Sequence, residues 1–101
     1  MKPVQVHSAA RRELAAAMQW YEERSPGLGL DLLAEFQAAA STLQRRPEFC
    51  QRHKRTEFRR QQMKRFPYLV FFLELPDCFW IAAVAHGARQ PDYWKERKPE
   101  T

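Results

Sequence analysis

Near its C-terminal end the chain gathers a histidine, two arginines and a tyrosine: His86, Arg89, Tyr93 and Arg97, within the run AHGARQPDYWKER. An imidazole titrates near neutral pH, so it can give or take a proton during a reaction. Guanidinium groups stay charged and grip phosphate with paired donors. A tyrosine stacks on a base or acts as a weak acid. Upstream, residues 51–65 read QRHKRTEFRRQQMKR. Seven of these fifteen positions are Lys or Arg, Arg59, Arg60, Lys64 and Arg65 among them, and only Glu57 opposes the charge. The set suits cleavage of RNA by its own 2′-hydroxyl, which needs a base, positive charge for the phosphorane and an acid for the leaving oxygen, but no metal. In that chemistry His86 is the acid or the base. Arg89, with Arg59 or Arg65, clamps the phosphorane, and Tyr93 stacks a base or assists proton transfer. Arg60, Lys64 and Arg97 complete the phosphate-binding set.

Each of these residues also has a plainer explanation. A lone histidine at a strand end is commonly a hydrogen-bonded structural group. Tyr93 and Trp94 can close the end of a core. Arg89 can pair with Asp92 or Glu96 at the surface, to little energetic effect. Arg97 lies in a polar tail expected to fray, and a basic run can simply be a solvated edge that discourages aggregation. No paired-carboxylate site, P-loop or GxGxxG is present. Cys50 and Cys78 are far apart, and His7, His53 and His86 are dispersed, so neither a metal nor a cofactor is expected and the thiols read as reduced and inert.

Two apolar runs must position the polar cluster. FPYLVFFLEL and CFWIAAVA are about strand length and are separated by Pro76-Asp77, the pattern of two antiparallel neighbours. Both are nearly continuously apolar, so both should be central. Thr56 to Met63 reads as a further strand, with Phe58 and Arg60 on one face and Arg59 and Gln61 on the other. At the other end, PVQVH (residues 3–7) reads as a short edge strand and Ser8 as the N-cap of a helix, AARRELAAAMQWYEER, that stops at Ser25-Pro26-Gly27. A second helix spans about Leu28–Arg45 and ends before Pro47. The short linker makes the pair an antiparallel αα-hairpin. The expected architecture is one α+β domain over residues 1–101: an N-terminal strand and an αα-hairpin packed on a roughly four-stranded, mainly antiparallel sheet.

The formal net charge of +5 favours polyanionic partners without choosing among RNA, DNA and an acidic protein. No apolar run is long enough for a signal peptide or a membrane span, so a cytoplasmic protein without membrane contact is expected.

These residues carry a family likeness. The element order, RFPY at Arg65–Tyr68, EERSPGLGLDLLAEF across the two helices, the break at Pro47 and HxxRxPxYW at His86–Trp94 together resemble the RelE/ParE superfamily. These are toxins of bacterial type II toxin–antitoxin systems. The resemblance implies a cognate antitoxin, acidic where it wraps the toxin, and assembly into higher-order toxin–antitoxin complexes. It also implies one of two targets. RelE-like members cut mRNA in the ribosome, and Arg59, Arg60, His86, Arg89 and Tyr93 fill part of their set. ParE-like members inhibit DNA gyrase without enzymatic chemistry. An arginine that RelE-like toxins often carry within the strand occupied here by Tyr68–Phe72 is missing, and the HxxR run is also similar to one in many ParE-like members. Both targets therefore stay open, as does a basic interaction module without activity.

Overall fold

The computed structural model describes residues 1–88 and 92–99. Strand β1 (Val4–Val6) leads into helix α1 (Ser8–Arg24) and helix α2 (Leu28–Arg45). A 3-10 turn at Pro47–Phe49 follows, then β2 (Gln51–Arg52), β3 (Arg59–Gln62), β4 (Tyr68–Glu74) and β5 (Phe79–His86). The sheet order is β1-β5-β4-β3-β2. β1 runs parallel to β5, and all other pairs are antiparallel. The α+β class and the helical layer are as expected. The sheet has five strands rather than about four, because the two-residue β2 pairs with β3 through Gln51 and Arg52. β3 is shorter than the Thr56–Met63 run, since residues 53–58 form a tight loop instead of extended backbone.

The helix start also differs from expectation. His7, not Ser8, caps α1: its Nδ1 accepts the Ala9 N–H at 3.0 Å. The next turn depends on two glycines. Gly27 has φ of +92°, which favours a residue without Cβ. A Cβ at Gly29 would stand 2.8 Å from the Met18 carbonyl oxygen, so the close crossing of α1 and α2 requires glycine there. Both backbone N–H groups donate to the Glu22 carboxylate, each at 2.9 Å. Those two bonds hold the Glu22 carboxyl below its usual pKa.

The sheet carries a core on each face. Val70 and Phe72 of β4 and Ile81 and Val84 of β5 pack under the helices with Leu32 and Leu43. On the opposite face Phe71, Trp80 and Ala85 pack with Phe58 and Trp94. β5 changes parity midway. Phe71 pairs with Ala83 but Phe72 pairs with Ile81, which leaves Ala82 as the extra residue of a β-bulge. The bulge turns Val84 and His86 to the helix side, where uninterrupted alternation from Phe79 and Ile81 would have placed Ala83 and Ala85. Among the described residues no helix is long and apolar enough to cross a membrane.

Candidate functional site

His86 ends β5 at the rim between two concavities. Its Nδ1 accepts the Ala88 N–H at 3.0 Å, and its ring meets Tyr68 edge-on at 5.2 Å. Gly87 is anchored in turn by its N–H donating to the Pro67 carbonyl. On the helix side a groove of about 660 Å³ runs between α1 and β5. On the other side a cleft of about 270 Å³ opens over the ends of β4 and β5.

Tyr93 and Arg97 gather around Glu13 of α1. β1 ends at Val6, so among the described residues the outer edge of β5 beyond Ile81 has no strand partner. Side chains cover it instead. The Val84 N–H donates to Glu13 Oε1 at 3.0 Å, and Arg97 donates to the Ala82 carbonyl at 2.8 Å. Arg97 also makes a fork of two bonds to Glu13, at 3.1 and 3.0 Å, and the Tyr93 hydroxyl donates to Glu13 at 2.5 Å. The tail is therefore docked at Arg97, not frayed, because a partly buried carboxylate holds its guanidinium. Nothing in the local sequence pattern singles out Glu13 for this role.

The remaining basic residues separate. Arg59 donates to the carbonyls of Pro47 and Cys50, tying β3 to the 3-10 turn. The Lys64 and Arg65 N–H groups donate to Glu35 of α2, while both side chains are exposed. The Arg65 guanidinium stands 3.5 Å from Asp31. Arg60 shares the Phe58 face, pairs opposite Phe71 and lines the small cleft, with no carboxylate paired to it among the described residues. Arg89 lies outside the described residues. Cys50 and Cys78 are buried free thiols, and burial raises both pKa values. Among the described residues no group of three or more His, Cys, Asp or Glu side chains is arranged to hold a metal ion.

The cleft contains a pair that its residues do not betray in sequence. His53 is 5% exposed and is packed against Phe71 and Trp94 at ring distances of 5.0 and 5.3 Å. Its Nε2 meets Asp92 Oδ1 at 2.7 Å, and Lys54 Nζ meets Oδ2 at 2.7 Å. The two residues stand 39 positions apart, and tertiary packing alone joins them. Asp92 sits at φ of +69° and Lys54 at +52°, left-handed conformations that Asp tolerates better than most residues. Hydrogen bonds first from Lys54 and then from His53 lower the Asp92 pKa from 3.8 to about 2. An ionised carboxylate only accepts, so His53 Nε2 donates the proton in that bond. His53 Nδ1 is buried with no hydrogen-bond partner among the described residues, a situation that typically costs about 1–3 kcal/mol.

The Asp92 shift has a defined acid signature. A carboxylate whose folded pKa is depressed stabilises the fold above its unfolded pKa, here 3.8, and loses that contribution as pH falls through about 2. Wild type should be more stable than Asp92→Asn at neutral pH, and the two unfolding curves should converge between those limits. Equal stability at every pH would show that the clasp does not form.

A strand, an antiparallel helix pair and a five-stranded sheet make up the fold on which these residues sit. A chain of the solved structure "Chromosomal ParDE TA system from P. aeruginosa" is similar to this one with a TM-score of 0.74. The match covers 85% of this chain and 96% of that chain at 17% sequence identity. No family model and no curated protein matches the sequence.

Proposed function

We propose that this chain is the toxin of a type II toxin–antitoxin pair and that it arrests growth by cutting translated mRNA. The observation that carries this reading is the convergence of His86, Arg60, Lys54 and His53 on one cleft over an aromatic floor. In the reaction the 2′-hydroxyl oxygen bonds to the adjacent phosphorus and gives its proton to a base. The 5′-oxygen leaves with its bonding pair and takes up a proton, so the products are a 2′,3′-cyclic phosphate and a free 5′-hydroxyl. His86 serves as one of the two proton-transfer groups, and Arg60 and Lys54 offset charge on the phosphorane. The net charge of +5 and the groove beside α1, where Trp20 stands 49% exposed, suit a cognate antitoxin with acidic and apolar groups.

Pulse labelling after expression of the chain alone tests this. Incorporation of amino acids should fall first, and His86→Ala should lower cleavage by about 10²–10⁴-fold while leaving the thermal transition in place. A variant that loses both toxicity and its thermal transition would report folding instead. Inhibition of DNA gyrase is the second reading. It is favoured by the engagement of Tyr93, Arg97 and Arg59 with internal partners, which removes them from a cutting set. A primary fall in thymidine incorporation, together with lost supercoiling by purified gyrase, would establish that reading.

A further inference from the structure

We infer that Glu13 is an autoinhibitory latch: it withholds Tyr93 and Arg97 from the rim at His86, and cleavage is restrained until the latch opens. The inference rests on the proposal that His86 belongs to an RNA-cutting site, and it names what regulates that site. His86 lines both concavities. Tyr93 shares the cleft with it, and Arg97 shares the groove. Yet the Tyr93 hydroxyl and both arms of the Arg97 fork donate to Glu13, at 2.5, 3.1 and 3.0 Å. The Arg97 guanidinium also lies 5.2 Å from the centre of the Tyr93 ring, so the two side chains are held as one unit. A phenol and a guanidinium are donors that a phosphorane draws on. Here a single carboxylate takes them.

The latch can open without unfolding its surroundings. Asp92, on one side of Tyr93, is clasped by His53 and Lys54, and Trp94, on the other, is buried in the core. The backbone at Tyr93 is therefore pinned, and its side chain alone has to turn. Glu13 keeps the Val84 N–H when the other two groups leave. Arg97 gives up the Ala82 carbonyl as well as the fork, which favours the closed state in the free protein. The groove admits the trigger, because Glu13 and Arg97 both line it. A phosphodiester presents Arg97 with the same paired oxygens as a carboxylate. A phosphate of RNA in the groove thus competes with Glu13 for Arg97, and the phenol is released with the guanidinium that packs on it.

The test compares wild type with Glu13→Gln in cleavage of mRNA under translation by purified ribosomes. Rotation of the Arg97 guanidinium about its Nε–Cζ bond, followed by NMR in the free protein, reads the latch apart from cleavage: a forked guanidinium turns slowly, a released one freely. Glu13→Gln should free the guanidinium and raise cleavage about fivefold or more, although the protein is less stable. Adding Tyr93→Phe should cancel the gain. Glu13→Asp, which keeps the charge but shortens the reach, should act in the same direction and decides the matter if Glu13→Gln does not fold. A residue that merely supports the fold does not raise activity when it is weakened. Unchanged or lower cleavage with a freed guanidinium, a guanidinium that stays hindered in both variants, or a gain that survives Tyr93→Phe would each overturn the inference. Wild-type cleavage that His86→Ala abolishes and Glu13→Gln fails to raise would remove the latch and leave the cleavage proposal standing. Absence of cleavage by wild type and by every folded variant would remove both.

Discussion

Glu13→Ala should destabilise the fold by about 2–4 kcal/mol, although the substitution lies on a helix and introduces a good helix former. The carboxylate holds three groups at once: the Arg97 fork, the Tyr93 hydroxyl and the Val84 N–H. The Glu13 and Arg97 side chains are only 13% and 19% exposed, so removing one charge strands the other in poorly solvated surroundings. The Val84 N–H also loses its acceptor beside the bare edge of β5. Urea denaturation should show the loss with little change in slope, and Tm should fall by roughly 10–20 °C. Glu13→Gln should recover part of it, because an amide oxygen still accepts one bond. A Glu13→Ala protein within about 0.5 kcal/mol of wild type would show that the tail does not dock on α1.

The largest loss is expected from Trp94→Ala, at about 3–5 kcal/mol. Trp94 is 1% exposed, stacks on Phe71 at a centroid distance of 4.3 Å and meets Phe58 edge-on at 4.8 Å. It is the lid of the core on the face away from α1 and α2. Truncation leaves a cavity beside Phe71 and exposes His53, so the Asp92 clasp should loosen with it. Chemical denaturation measures the first effect, and hydrogen exchange at the Phe58 and Phe71 amides measures the second. A loss below about 1 kcal/mol would mean that another group covers this face.

Most of the fold was legible in the residues themselves. The hairpin of β4 and β5 follows from two apolar runs around Pro76-Asp77, and the limits of α2 follow from Gly27 and Pro47. These are short-range signals: local backbone preference and a period that places one face in the core. The same alternation put Arg60 beside Phe58 and Arg59 opposite, which the structure bears out. Trp94 as a closing residue was also readable, since an aromatic residue following a buried strand has few other places to go.

Other features depended on distance in space. Ser8 looked like the cap, yet His7 serves, because its imidazole lies against Trp80 at 5.6 Å and turns Nδ1 toward the Ala9 N–H. The bulge at Ala82 has no mark in the run IAAVA, but it decides which face His86 joins. Glu13 reads as a solvated helix residue until the parallel pairing of β1 stops at Val6 and leaves an edge to be covered. His53 reads as one more polar group in a basic run. Its meaning comes from Asp92, and no periodicity links positions 53 and 92. The amino-acid sequence determines elements through local sterics and hydrophobic alternation, and it determines the basic character of the surface. Which charged groups are neutralised internally and which face a cleft depends on chain segments meeting in three dimensions. Desolvation and hydrogen bonding act there on whatever side chains the topology has brought together.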